Sequence, residues 1–156
     1  MSRKDKGRGD HRAITYSGFL HLPDVLTAHV DFYSLSGSAT KLLIYVARQY
    51  NGRNNGDLCA ALTLLKPFGF NSNSQLKRAK RELIEKNLLI ETRQGGLGIG
   101  PSLFAITWQP INECPGKHLD VGPTLNAPRP LRPMPLPNSN RPHLISVQAA
   151  PIVGAR

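Results

Sequence analysis

The sequence predicts a mainly α-helical domain carrying one small β-hairpin, and three observations lead to that expectation. Residues 71–86, NSNSQLKRAKRELIEK, set Leu76, Ala79 and Leu83 on one helical face with Ile84 at its edge. Ser74, Arg78, Arg81 and Glu85 fall on the opposite face, with Lys77 on the flank. This segment runs at once into LLIETR, a glycine-rich turn and LFAITW, the pattern of a hairpin. Upstream, Ala39, Leu42, Leu43, Val46, Ala47 and Tyr50 recur at helical spacing and mark a core helix. A basic helix between a turn and a hairpin is the signature of a winged helix-turn-helix.

The elements follow in order. Residues 1–13 are charged and glycine-containing and read as a flexible basic arm. Residues 14–114 hold nearly all the periodic apolar pattern and form the predicted domain. Pro23 suits the first position of a short helix and Asp24 the positive end of its dipole, turning Val25, Leu26, His29 and Phe32 inward. Ser36 or Ser38 caps the core helix, and Asn51-Gly52 ends it. Asn54-Asn55-Gly56-Asp57 makes a turn before a short strand at Leu58-Cys59-Ala60. A brief helix through Leu62 and Leu65 stops at Pro67 and Gly69, leaving the few residues that a helix-turn-helix allows.

The basic helix, about residues 72–87, opens on Ser72-x-x-Gln75, which fits a capping box. Its charges admit a purely solvated reading, because Arg78 can pair with Glu82, Glu82 with Lys86, and Arg81 with Glu85. Lys80 lies close to the apolar stripe, from which it snorkels out or reaches a flanking phosphate. In the hairpin, Leu88–Arg93 pairs with Leu103–Trp108, and Trp108 reads as core. Residues 94–101 form the wing tip. Their glycines do not make a dinucleotide site, since a proline and a strand follow where that motif needs a helix.

Residues 115–156 contain nine of the thirteen prolines and read as an extended or disordered tail, apart from whatever part of 115–125 packs back on the domain. The net charge of +10 and a pI near 10.1 point to a polyanionic partner. Net charge is +3 in residues 1–13, +3 in 14–114 and +4 in 115–156, so most of the excess sits at the two ends. The N-terminus lacks the apolar core of a secretory signal and no run is long enough to span a bilayer. The two cysteines, Cys59 and Cys114, read as free thiols of a reducing cytosol. A zinc site from Cys59, Cys114 and His118 can be drawn, but metal ligands come in tighter sets. Scattered carboxylates and the absence of a nucleophile with a histidine partner argue against an enzyme, and no cofactor is expected.

A resemblance enters at these same residues. From about Phe19 to Asp120 the chain resembles small helix-turn-helix proteins of proteobacterial genomes and their mobile elements. The stretches that carry it are YNGRNNGDL at 50–58, the basic helix, TRQGG at 92–96, PSLFAITWQPINEC at 101–114 and GKHLD at 116–120. It is also similar, more loosely, to the N-terminal winged-helix domain of phage and plasmid replication initiators. The resemblance implies DNA contact through Ser72, Asn73, Ser74, Gln75, Lys77, Arg78 and Arg81.

The expected function is therefore double-stranded DNA binding by a transcriptional or replication-associated regulator of a mobile element, in the bacterial cytoplasm. Asn73, Ser74, Gln75, Arg78 and Lys77 are expected in the major groove, with Lys80, Arg81 and Arg93 on phosphates and Gln94 beside Arg93 at the wing base. The alternative is a non-enzymatic inhibitor or adaptor on the same scaffold, its Pro-rich tail holding a protein partner. An RNA-binding role ranks last, because the aromatic residues read as core rather than as stacking platforms. Oligomeric state stays open, with a homodimer on a palindrome as one form.

Overall fold

The computed structural model describes residues 20–129. The basic arm and the greater part of the Pro-rich tail lie outside them. Five helices and a three-stranded antiparallel sheet alternate in the order α1 (Asp24–Thr27), α2 (Val30–Tyr33), α3 (Gly37–Ala47), β1 (Leu58–Cys59), α4 (Leu62–Leu65), α5 (Asn73–Glu85), β2 (Leu89–Arg93) and β3 (Leu103–Ile106). The sheet order is β1-β3-β2, so β3 lies in the middle and β1 adds a third strand to the expected hairpin.

The short helix expected after Pro23 is two helices. His29 breaks it, taking extended backbone and accepting the Asp31 N–H on Nδ1 at 3.2 Å to cap α2. Leu26 is buried from α1, while Phe32 is only partly so. Ser36, not Ser38, caps α3: its Oγ accepts the Ala39 N–H at 3.3 Å. Helix α3 stops before Tyr50. Beyond its end, the Gln49 side-chain amide accepts the Cys59 N–H at 2.9 Å and donates to the Cys59 carbonyl at 2.8 Å. This amide thereby mimics a neighbouring strand and closes the free edge of β1.

The main core unites Leu42, Leu43 and Val46 of α3 with Leu76, Ala79 and Leu83 of α5 and with Leu58, Phe104, Ile106 and Trp108 of the sheet side. Ile84, at the edge of the α5 stripe, is exposed. Asn87 (φ 53°) ends α5 in the left-handed region, and the Leu88 N–H reaches back to the Leu83 carbonyl at 2.9 Å. Gly69 (φ 88°) makes the turn that separates α4 and its 3-10 extension from α5.

Strand β3 is buried on both faces rather than alternating. Phe104 and Ile106 enter the main core, whereas Leu103 and Ala105 are buried outside it. Beyond β3 the chain turns back toward the sheet. It returns as a strap whose Ile111 is buried, whose Asp120 N–H donates to the Thr92 carbonyl at 2.7 Å, and whose Arg129 N–H donates to the Thr107 carbonyl at 2.9 Å. Residues 115–129, a succession of turns, bends and irregular backbone, are thus anchored to the rest of the fold.

Two residues tie the strap down. Asn55, fully buried, donates to the carbonyls of Ile106, Gln109 and Pro110 and accepts the Ile106 N–H at 2.8 Å. Arg129 donates to the Asp31 carboxylate and to the Lys86 carbonyl at 2.8 Å. It thereby joins the end of the strap to α2 and to the end of α5.

Candidate nucleic-acid interface

Helix α5 begins where Ser72, in extended backbone, accepts the Gln75 N–H on its Oγ at 3.2 Å. The return arm of the capping box goes one residue further than expected. Gln75 Oε1 accepts the Asn71 N–H at 3.3 Å, and its amide nitrogen donates to Ser38 of α3 at 3.4 Å. Ser72 and Gln75 are therefore held by capping and packing contacts, with Gln75 half-buried between α3 and α5.

The next residues point outward. Asn73, Ser74, Lys77, Arg78 and Arg81 are all exposed. Ser74 shares a 3.1 Å hydrogen bond with Ser72. The side chains of Asn73, Lys77, Arg78 and Arg81 make no hydrogen bond or ion pair with another described residue. The intrahelical pairs that would neutralise these cations are not formed, and Glu82 explains part of this. Its carboxylate accepts the Ser36 N–H at 2.7 Å and the Ser36 hydroxyl at 2.6 Å. Those two bonds from Ser36, helped by the Lys86 charge, hold the Glu82 carboxyl below its ordinary pKa against the cost of its partial burial. Lys86 bonds Ser34 rather than Glu82. One acid of the basic helix thus serves as a second cap on α3 and is drawn away from Arg78.

Lys80 takes neither simple course. Its Nζ sits 5.6 Å from the centroid of the Phe104 ring, within cation–π range. There it lines a cleft of about 200 Å³ with Asn73 and Leu76 of α5, Ala60 to Leu62, and Pro101 and Ser102 of the hairpin loop. The cleft brings the Asn73–Leu76–Lys80 edge of α5 and the base of the loop together. Arg93, expected on a phosphate, has protein partners in this structure. Its guanidinium donates to the Lys117 carbonyl at 2.8 Å and to the Pro101 carbonyl at 3.1 Å, pinning the loop to the strap. The Gln94 side chain is exposed, while its N–H donates to Asp120 at 3.0 Å.

The charge around α5 has a pattern that the net charge hides. Between Phe32 and Arg81 the chain carries eight Lys and Arg residues and one acid, Asp57. Asp57 is paired with Lys117 at 3.1 Å. The long acid-free intervals are legible in the sequence once charges are read by sign and position rather than summed. Beyond α5, the loop tip carries two exposed aliphatic residues, Leu97 and Ile99, which composition alone marks only as part of a glycine-rich turn.

Among the described residues, no group of three or more His, Cys, Asp and Glu side chains is close enough to hold a metal ion. Burial pushes the Cys114 thiol above its ordinary pKa, with the Asp57 charge adding to the effect. No helix of the described residues is long and apolar enough to cross a membrane. No family model matches this chain, and no match appears among curated proteins or solved structures.

Proposed function

We propose that the chain is a double-stranded DNA-binding protein of the winged-helix class, acting in the bacterial cytoplasm as a transcriptional or replication-associated regulator of a mobile element. The order of elements supports this reading. Helix α3, strand β1, helices α4 and α5, strand β2, a loop and strand β3, with β3 central in the sheet, is the succession expected of a winged helix. On that scaffold α5 is the recognition helix and the loop 94–102 is the wing.

One observation carries the reading. The outer face of α5 presents Asn73, Lys77, Arg78 and Arg81 without protein partners among the described residues, while Glu82 is bound to Ser36 instead of neutralising them. In the major groove, Asn73, Ser74, Lys77 and Arg78 would meet base edges, and Arg81 a flanking phosphate. Lys80, held over Phe104, would contribute positive potential from the cleft rather than a direct base contact. The test is a salt titration of binding to genomic DNA fragments, followed by selection from random duplexes. Binding is expected to weaken steeply with salt and to enrich one sequence. Weak, salt-insensitive binding to every sequence overturns the proposal.

A second reading has one feature in its favour. Tyr45, Arg48 and Gln49 of the α3 side and Leu64, Leu65 and Phe68 of the α4 side line an apolar groove of about 320 Å³. A protein-interaction module would use such a groove. Recovery of one stoichiometric protein, unaffected by nuclease and by charge reversal at Arg78 and Arg81, would favour it over DNA binding.

A further inference from the structure

Leu97 is fully exposed and Ile99 is 61 % exposed, two residues apart at the end of the wing. The backbone beneath them is closed on itself. The Gly96 N–H donates to the Gly100 carbonyl at 3.0 Å, and the Gly96 carbonyl accepts the N–H groups of Ile99 and Gly100 at 3.1 and 3.2 Å. Gly95 allows the two sides of the wing to approach, since a Cβ there would meet the Ser102 nitrogen at 2.3 Å. The result is a narrow, self-bonded finger with an aliphatic tip. Of the large apolar side chains among the described residues, Leu97 is the most exposed, and Ile99 stands beside it on the same finger.

The surroundings indicate which partner suits the tip. No acid lies between Glu91 and Glu113, so nothing on the wing repels phosphates. The wing base, at Pro101 and Ser102, lines one cleft with Asn73 and Lys80 of α5. Helix and wing base therefore border a common cleft, and on the DNA-binding reading a duplex seated on α5 would pass beside the wing. Aliphatic side chains cannot hydrogen-bond phosphates or base edges. In a groove they can pack on thymine methyls and sugars or wedge between stacked bases, and a narrow finger ending in two of them suits the wedge.

We propose that the wing tip is a DNA-kinking wedge, with Leu97 entering a base step from the minor groove and Ile99 supporting it. This rests on the DNA-binding reading above. Unstacking one step has a cost that the recognition helix and the flanking cations offset, and the cost is smallest at flexible TA and CA/TG steps or where stacking is already broken.

The experiment compares the full chain with the double variant L97S/I99S on short duplexes that are intact, nicked or mismatched, reading affinity and end-to-end fluorescence energy transfer. Both positions are exposed, so the variant keeps its fold. The wild type is expected to bend the intact duplex and to bind the nicked or mismatched one about tenfold more tightly. The variant is expected to lose the bend and the preference while keeping its salt slope. An unchanged bend and preference in the variant would overturn the wedge and leave DNA binding standing. Wild-type binding to anionic phospholipid vesicles that L97S/I99S loses would also overturn it, assigning the tip to a membrane surface. Absence of salt-dependent duplex binding by the wild type defeats the DNA reading itself, and the wedge with it.

Discussion

The strap side of the molecule and the outer face of α5 contain the same kinds of side chain and use them in opposite ways. On the strap side, Asn55, Thr92, Arg93 and Arg129 direct their polar atoms at protein carbonyls and carboxylates. On α5, the side chains of Asn73, Lys77, Arg78 and Arg81 direct none at any described residue. Arginines 78 and 93 look alike in sequence, and both read as DNA contacts. One is exposed and unbonded, and the other bridges Lys117 and Pro101. Long side chains held in one rotamer lose entropy that their bonds must offset. The strap side has met that cost within the fold. On the proposed reading the α5 face leaves that cost to be met by DNA, which is where a binding surface would differ from a structural network.

Removing Asn55 should separate the two regions most clearly. Its amide replaces ladder partners for the end of β3 and the start of the strap, and truncation leaves three carbonyls and one N–H to find other partners. Asn55→Ala is expected to destabilise by about 3 kcal/mol, measured by denaturant unfolding. Arg129→Ala should follow at about 2 kcal/mol, a figure held down because Asp31 keeps a side-chain exposure of 33 %. Neither change should alter the DNA affinity of the molecules that remain folded. If either reduces affinity with stability intact, the strap belongs to the interface and the two regions are not distinct.

The reverse experiment addresses α5. Arg78→Ala and Arg81→Ala should each leave stability within about 0.5 kcal/mol, because neither side chain bonds another described residue. Each should weaken DNA binding by about 1–2 kcal/mol. Arg78→Ala is expected to relax sequence preference. Arg81→Ala is expected to weaken all sequences alike and to reduce the salt slope by about 1. Arg93→Ala supplies the contrast: it should loosen the wing while leaving the salt slope unchanged.

The contrast also marks what could be read from the chain. The core helix, the basic helix, the hairpin and the Ser72 cap follow from local spacing and local chemistry, and the structure contains them. The inward stripe Leu76, Ala79 and Leu83 is a direct consequence of helical period. What escaped is non-local. Glu82 lies 46 positions from Ser36, and Arg129 lies 98 from Asp31, so no window reveals either bond. Arg93 and Gln75 are polar residues at suitable spacing for DNA, and only tertiary packing shows that both are already engaged. His29 illustrates the same limit at short range. Its side chain competes for the helix backbone and splits one expected helix in two.

The weakest effect is expected at the bond that joins the two regions. Glu82 extends from α5 to the start of α3 and there receives two bonds from Ser36, one from the N–H and one from the hydroxyl that caps Ala39. Those bonds lower its pKa in the folded state below the ordinary 4.5. A carboxylate lowered on folding contributes stability that is fully present above its unfolded pKa and lost as pH falls through its folded one. Glu82→Gln should therefore cost about 1 kcal/mol at neutral pH, a figure kept small by solvent screening of a carboxylate that is only partly buried. The difference from wild type should vanish under acid conditions below the ordinary carboxylate range. Denaturant unfolding of both proteins across that range measures it. The same substitution has an independent consequence at the interface. A neutral amide in place of the carboxylate removes one negative charge from the basic helix, so DNA affinity should rise slightly as stability falls. A fall in both would mean that Glu82 positions the DNA-facing turn of α5 as well as capping α3.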